Sequence, residues 1–87
     1  MIELKIFTAD WCPKCRLLKP IMKKLNKMFG ESIYFSYIQT DDNKKLVTKY
    51  NVKSIPLVVI ERNNRIEHKL TGAHSLDTYE KILNGLL

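Results

Sequence analysis

The first third of the chain passes from an alternating hydrophobic pattern to a helical one. Aliphatic and charged side chains alternate over residues 2–6 and Phe7 extends the run, which predicts a strand over residues 2–7. From Pro13 to about Phe29, apolar residues recur at the three- and four-residue spacing of an amphipathic helix. We expect Pro20 to kink this helix, because it removes a backbone donor, and Gly30 to end it in a left-handed conformation.

Three further segments carry the patterns of a strand, a short helix and a fully buried strand. Residues 33–38 are rich in β-branched and aromatic side chains, which favour strands. Residues 40–42 (Thr-Asp-Asp) supply candidate caps for a helix from about Asn43 to Tyr50. The continuous apolar run at 57–60 is typical of a strand that is buried on both faces.

The end of the chain is predicted to form a hairpin followed by a helix. Asn63 and Asn64 tolerate positive φ angles, so they should turn the chain into a strand over residues 65–70. Ser75 is a candidate N-cap for a last helix with apolar residues at helical spacing. The predicted order is βαβαββα, an α/β fold in which three helices flank a four-stranded mixed sheet. Its first strands should pair in parallel, and the hairpin should add an antiparallel edge.

The length and composition are those of one small domain. Residues 1–87 can bury a single core but not two, and no repeat or low-complexity run divides them. No stretch is apolar enough to span a membrane, and the chain opens directly in a strand pattern without a signal segment. We expect a cytoplasmic monomer with no membrane partner. In that reducing compartment a Cys-x-x-Cys pair is more often catalytic or metal-binding than a permanent crosslink.

Much of the formal net charge of +6 lies on the first predicted helix. Its basic residues fall around the solvent face: Lys14, Arg16, Lys19, Lys23, Lys24 and Lys27. Their field attracts acidic partners or polyanions. The chain has no nucleic-acid-binding motif and no aromatic residues interleaved with these charges. We therefore interpret them as a solvated helix face and expect no nucleic-acid partner.

The only two cysteines lie where the strand pattern gives way to the helix pattern. Two residues separate Cys12 from Cys15, so both fall on one helical turn and their sulfurs can meet in a disulfide. Cys12 lies at the cap position, where free N–H groups and the positive end of the helix dipole favour a thiolate. Pro13 suits the first helical position, and Lys14 adds a positive charge. We expect Cys12 to be exposed and Cys15 to be buried.

Cysteines with this spacing also occur in zinc sites and in structural disulfides. A zinc site needs two more ligands, and the only histidines, His68 and His74, are far away and six residues apart, unlike the ligands of a zinc finger. A disulfide across so short a loop constrains the unfolded chain little. We therefore favour a redox-active Cys12–Cys15 pair with no bound metal or other cofactor.

Four motifs at mutually consistent distances make the chain similar to thioredoxin and its smaller relatives over essentially its whole length. Residues 11–15 (Trp-Cys-Pro-Lys-Cys) match the Trp-Cys-x-x-Cys of that family, and Pro20 matches a proline at the same offset. Residues 50–56 resemble the segment that leads to the family's cis-proline, and residues 71–73 resemble its glycine turn. The resemblance implies a thioredoxin-like fold and a thiol–disulfide oxidoreductase that reduces protein disulfides.

The same resemblance implies roles for the two cysteines. Cys12 would attack a substrate disulfide, and Cys15, with a raised pKa from burial, would resolve the mixed disulfide. Ile6 stands where thioredoxin has a buried carboxylate, so water or Asp10 would take the Cys15 proton. The charge of Lys14 should make the disulfide more oxidising than that of thioredoxin, with a potential on the order of −200 to −270 mV.

The resemblance also implies a substrate groove beside the dithiol. Pro56, if it is cis, would lie against the disulfide and leave the backbone of Ile55 free to pair with an extended peptide. Trp11, Gly72 and Ala73 would line the same groove. The implied partners are disulfide-containing proteins and a recycling reductase such as thioredoxin reductase.

Two other functions stay open. The length and the Cys-Pro-x-Cys pattern are closer to glutaredoxins, whereas Trp11 and the Ser-Ile-Pro at 54–56 look more like thioredoxin. A glutathione-dependent enzyme would use the basic helix and the Ser75 cap to hold the carboxylates of glutathione. A binding module that keeps the fold without thiol chemistry is the other alternative.

Overall fold

The computed structural model describes all residues from Met1 to Leu87. In chain order its elements are β1 (Ile2–Thr8), α1 (Pro13–Phe29), β2 (Ile33–Gln39), a 3₁₀ helix (Thr40–Asp42), α2 (Lys44–Lys49), β3 (Leu57–Arg62), β4 (Arg65–Thr71) and α3 (Leu76–Leu86). The predicted βαβαββα order is confirmed, and the 3₁₀ helix occupies the segment predicted to cap α2. None of the helices combines the length and the apolarity needed to cross a bilayer.

The four strands form one mixed sheet in the order β2-β1-β3-β4. β1 pairs in parallel with β2, and Thr8 at the end of β1 lies opposite Gln39 at the end of β2. β3 is antiparallel to both β1 and β4, so the predicted antiparallel hairpin is confirmed. Asn63 and Asn64 turn it with φ angles of 53° and 67°. Because β1 and β2 are parallel, the segments that follow them leave the sheet at the same edge.

Helices cover both faces of the sheet. α1 and α3 cover one face, and the main core cluster there comprises Ile2, Leu4, Ile6, Leu18, Met22, Leu25, Phe29, Ile33, Val58, Ile60, Tyr79 and Leu83. On the opposite face, Leu46 and Val47 of α2 pack on a smaller cluster. Burial of a large apolar side chain contributes about 1.5–3 kcal/mol. These two clusters therefore hold the helices against the sheet, and the larger one anchors α1.

The residue that ends α1 differs from the prediction in conformation. Gly30 is right-handed, with φ of −59° and ψ of −21°, so the expected left-handed cap is wrong. Its N–H instead donates to the carbonyl oxygen of Asn26 over 2.8 Å, and a Cβ at Gly30 would overlap that oxygen. The glycine therefore provides space for a tight last turn.

A carboxylate lies buried on the α2 face, beyond the apolar run that predicted β3. Glu61 is 5% exposed, forms an ion pair with Lys5 and accepts a 2.6 Å hydrogen bond from the hydroxyl of Tyr50. Lys5 also pairs with Glu3 at 3.0 Å. Burial by itself would raise the pKa of Glu61, but the hydrogen bonds from Lys5 and Tyr50 outweigh burial and hold that pKa below its ordinary value.

We expect this pair to make the fold sensitive to acid. Because the folded-state pKa of Glu61 is depressed, its stabilisation is present above the ordinary pKa of 4.5 and is lost as the pH falls through the lower folded-state pKa. Glu61→Gln should lower the free energy of unfolding at neutral pH by about 3 kcal/mol, since Lys5 loses its buried partner. Urea denaturation from neutral pH to about pH 3 measures both the loss and the flatter acid profile.

Glu67→Gln is the matched control for this variant. Glu67 pairs with Arg62 at 2.9 Å in a partly exposed hairpin position, so its loss should change stability by less than about 1 kcal/mol. Equal effects of the two substitutions, or an acid profile that Glu61→Gln leaves unchanged, would contradict the role given to Glu61.

Candidate redox-active site

A sulfur atom caps the start of α1. Cys12 is extended, with φ of −95° and ψ of 113°, and Pro13 follows at the first helical position. The Sγ atom of Cys12 accepts a hydrogen bond from the backbone N–H of Cys15 over 3.3 Å. The predicted position of Cys12 at the helix cap is therefore confirmed. Its sulfur receives this one N–H and lies at the positive end of the helix dipole, both of which favour negative charge there.

Both cysteines are buried, so the expectation of an exposed Cys12 is wrong. Each is 5% exposed, and both are free thiols. Ala9 and the two cysteines form a small cluster against which Ile55 packs. The thiol of Cys12 donates to the carbonyl oxygen of Ile55, with 3.8 Å between sulfur and oxygen. The loop before β3 thus covers a sulfur that local sequence alone would leave open.

The thiol of Cys15 has a raised pKa, as predicted. Burial is the largest cause, and the hydrogen bond with Cys12 adds to it. The side chain of Thr8 and the backbone N–H of Ala9 act in the opposite direction, because hydrogen-bond donors beside a sulfur favour its charged form. Ile6 is 2% exposed in the main core, so no carboxylate occupies that position. Thr8 is a contact of the dithiol that sequence reasoning missed.

A loop with a cis peptide bond lies beside the dithiol. The Ile55–Pro56 peptide is cis, as predicted, and Pro56 is buried. The N–H of Gly72 donates to the carbonyl oxygen of Pro56 over 2.8 Å, which ties the end of β4 to this loop. Gly72 has φ of 87°, a conformation that favours glycine. Neither the N–H nor the carbonyl of Ile55 forms a backbone–backbone hydrogen bond.

Trp11 lies on the surface next to the dithiol, and an unpredicted partner holds it. Its side chain is 64% exposed, and its indole N–H donates to Oδ2 of Asp41 over 2.9 Å. Asp41 follows β2, whereas Trp11 follows β1. The parallel pairing of these strands brings the two segments to one edge of the sheet. That pairing is the signal by which Asp41 was detectable from sequence.

Four other predicted residues lie on the exposed surface around this centre. Pro13 and Lys14 are exposed in the first turn of α1, and Lys14 forms no ion pair. The carbonyl of Asp10 accepts a 3.1 Å hydrogen bond from Arg16, and Asp10 is exposed too. Ala73 is exposed directly after the glycine turn. No three histidine, cysteine, aspartate or glutamate side chains lie close enough together to hold a metal ion.

A Cys-x-x-Cys pair that starts a helix, next to a cis-proline and on a four-stranded mixed sheet, defines the thioredoxin-like class of proteins. The family model for thioredoxin matches residues 3–85. The chain belongs to the thioredoxin family, and its predicted resemblance to that family is confirmed.

Individual relatives agree with this assignment. Thioredoxin H4 of Arabidopsis thaliana is 34% identical over 77 residues, which cover 88% of this chain and 65% of that protein. Chloroplastic thioredoxin M4 of the same plant is 32% identical over 81 residues, or 93% of this chain and 42% of that protein. The chain thus spans less than two thirds of either relative. The structure of thioredoxin-2 from the malaria parasite superposes with a TM-score of 0.94 at 26% identity, covering 98% of this chain and 82% of that one.

We expect Asp41 to restrict the motion of Trp11. Asp41→Ala removes the only acceptor of the indole N–H, a hydrogen bond worth about 1–2 kcal/mol because the acceptor is charged but exposed. Trp11 is the single tryptophan, so the tryptophan fluorescence anisotropy arises from this residue alone. The variant should show faster depolarisation. Asp42→Ala is the control, since Asp42 makes no side-chain hydrogen bond to Trp11, and equal anisotropy in both variants would contradict the role of Asp41.

Proposed function

We propose that this chain is a thiol–disulfide oxidoreductase that reduces disulfides in proteins. The observation that carries the proposal is the placement of the Cys12 sulfur. It lies at the N-terminus of α1, with the N–H of Cys15 behind it and the Ile55 carbonyl beside it. Such a position stabilises the thiolate that attacks a disulfide, and Cys15 lies one turn behind it to complete the exchange.

The reaction transfers two electrons from the dithiol to the substrate. The Cys12 thiolate attacks one sulfur of the substrate disulfide, forms a mixed disulfide and expels the first substrate thiolate. Cys15 then loses its proton and attacks the Cys12 sulfur. This second step breaks the mixed disulfide, releases the second substrate thiolate and leaves a Cys12–Cys15 disulfide. No cofactor other than this disulfide takes part.

An extended substrate would bind along the loop that holds Ile55. Its N–H and carbonyl are free of backbone partners, so a peptide strand could pair with them as a β-strand addition. Exposed Trp11 and the Gly72–Ala73 turn flank this position. Because Cys12 is buried and bonded to Ile55, the arriving disulfide must displace the thiol–carbonyl hydrogen bond.

Disulfide-containing proteins and a recycling reductase are the partners that this chemistry requires. We propose that the chain acts as a monomer in the reducing cytoplasm, with thioredoxin reductase as its electron donor. Glutathione is the alternative donor, and the basic face of α1 supports that alternative through its attraction for carboxylates. No observation favours nucleic acid, a membrane or a metal ion as a partner.

Replacement of the two cysteines should block the reaction at different steps. With insulin as substrate, Cys12→Ser should abolish reduction, because no nucleophile remains. Cys15→Ser should also lose turnover, but it should accumulate a mixed disulfide at Cys12. Mass spectrometry of the acid-quenched reaction detects that adduct. Circular dichroism of both variants provides the folding control, and full biological activity of a folded Cys12→Ser protein would favour the binding-module alternative.

The electron donor is identified by a comparison of two reducing systems. Oxidised protein is mixed either with NADPH and thioredoxin reductase or with reduced glutathione, and the loss of the disulfide is followed. Fast reduction by the reductase and little by glutathione is the expected result. The reverse order of rates would assign the chain to glutathione-dependent chemistry.

Lys14 should set the potential of the disulfide. Its charge lies within the Cys-x-x-Cys motif and is not neutralised by any carboxylate in contact. Reversal of the charge in Lys14→Glu disfavours the thiolate and so should make the disulfide less oxidising. The expected shift is about −20 mV, which corresponds to about 1 kcal/mol for a two-electron couple. Equilibration with glutathione redox buffers measures it.

Lys24→Glu changes the net charge equally on the same helix. Lys24 is exposed and lies about 15 Å further along the helix axis, beyond the screening length at physiological salt. It should leave the potential unchanged. The same shift in both variants would mean that net charge, rather than the position of Lys14, controls the couple.

A further inference from the structure

A second opening reaches the dithiol from the side of Cys15. A cleft of about 600 Å³ lies between α1 and the edge strand β2, and Cys15 lines it. Cys12, Ile55 and Pro56 do not, so this cleft is separate from the proposed substrate groove. Its volume is enough for several water molecules, each of which takes about 30 Å³ in the liquid. Cys15 thus has its own route to solvent although it is buried.

The β1 side chains that line this cleft change from apolar to polar next to Cys15. Successive side chains on a strand alternate between faces, so Thr8 lies on the same face of β1 as Leu4 and Ile6, the face that α1 covers. Ile6 and Thr8 both line the cleft. Thr8 is the last residue of β1, lines the cleft together with Cys15, and its side chain lowers the pKa of the Cys15 thiol. A hydroxyl is therefore the group that β1 presents to the resolving thiol.

Most of the other polar and charged groups around Cys15 are poorly suited to receive its proton. Arg16, Lys19 and Lys23 of α1 are cations on the cleft wall, which favour a nearby thiolate but accept no proton. Burial raises the pKa of Tyr37 on β2, which keeps its hydroxyl protonated at neutral pH. Asp10, in the loop after β1, is the one carboxylate of the cleft.

Cys12 is the remaining titratable neighbour of Cys15. In the free dithiol the charge of a Cys12 thiolate raises the pKa of Cys15, so it disfavours a second thiolate there. In the mixed disulfide Cys12 carries no charge. The electrostatic repulsion from Cys12 is then absent, and burial is the main remaining effect that disfavours ionisation of Cys15.

We propose that Cys15 loses its proton to water in this cleft and that the Thr8 hydroxyl stabilises the resulting thiolate by donating a hydrogen bond. This inference rests on the proposed function, because it concerns the resolving step of that reaction. The S–H bond of Cys15 breaks, and its proton goes to a cleft water molecule. The electron pair left on the sulfur forms the bond to Cys12, and the substrate sulfur leaves with the electron pair of the mixed disulfide.

Ellman's reagent separates the two steps in the intact protein. Attack by Cys12 releases one thionitrobenzoate, and attack by Cys15 on the mixed disulfide releases the second. Thr8→Val keeps the size and the β-branched shape of the side chain but removes the hydroxyl. The second release should slow about tenfold at neutral pH, and the midpoint of its pH profile should rise by about one unit. The first release should keep its rate.

Thr8→Ser restores a hydroxyl and should return the second step to the wild-type pH profile, which a purely structural role of Thr8 would not predict. Thr8→Ala is a second deletion of the hydroxyl in case the valine variant does not fold. Thr48→Val makes the same replacement at an exposed position of α2 and should change neither release.

Two results would overturn the proposal. An unchanged pH profile in Thr8→Val and Thr8→Ala would show that the hydroxyl does not support the thiolate. A shifted profile in Asp10→Asn with a normal one in Thr8→Val would make Asp10 the proton acceptor. Failure of the proposed function gives a different result, because a wild-type protein that never releases the second thionitrobenzoate has no resolving step.

Discussion

The helix α1 begins with sulfur where most helices have a hydroxyl or carboxylate oxygen, and the site depends on this substitution. A thiol is a weak hydrogen-bond acceptor, whereas a thiolate is a strong one. The free backbone donors of the first turn are therefore best satisfied when Cys12 is ionised. The first turn contains no acidic side chain, which leaves the positive end of the helix dipole to the sulfur. Helix stability and thiol reactivity are thus coupled through one atom.

Strand directions explain why residues so distant in sequence meet at that atom. β1 and β2 run in parallel and deliver Trp11 and Asp41 to one edge of the sheet. β3 is antiparallel to β1, so its start, preceded by Pro56, lies at the same edge. The end of β4 lies opposite the start of β3, and Gly72 bonds to Pro56 there. Four segments therefore converge on the start of α1, and each contributes one part of the site.

Features that depend on nearby residues were predictable from sequence. The strand and helix order follows from hydrophobic period, the Asn63–Asn64 turn from tolerance of positive φ, and the Ser75 cap from its hydroxyl, which accepts from the N–H of Thr78. Two cysteines at one helical turn were enough to place the candidate dithiol. Gly30 is a partial failure, because glycine suits both a left-handed cap and a close approach to Asn26.

The features that sequence reasoning missed depend on partners far along the chain. The cover over Cys12 comes from Ile55, 43 residues away, and the acceptor for Trp11 is Asp41, 30 residues away. Glu61 meets Lys5 across 56 residues, which is why its burial at the end of an apolar run was not foreseen. A periodic pattern shows which face of an element is buried. It does not show which particular side chains meet there.

The position of Glu61 also shows whether this carboxylate acts on the dithiol or stabilises the fold. It lies four residues beyond Leu57 on β3, about 13 Å from the dithiol edge at the rise of an extended strand. Its partners, Lys5 and Tyr50, lie on the α2 face, whereas Cys15 lies against α1 on the other. The buried carboxylate of this chain therefore serves stability.

Ile6 leaves the α1 side of β1, where the dithiol lies, without a buried carboxylate. It packs in the main core beneath α1, where an ionised side chain would have to be desolvated. An aliphatic residue there secures the packing of α1 on β1. In the proposed mechanism the resolving thiol then depends on a neutral hydroxyl and on solvent, neither of which requires a buried charge.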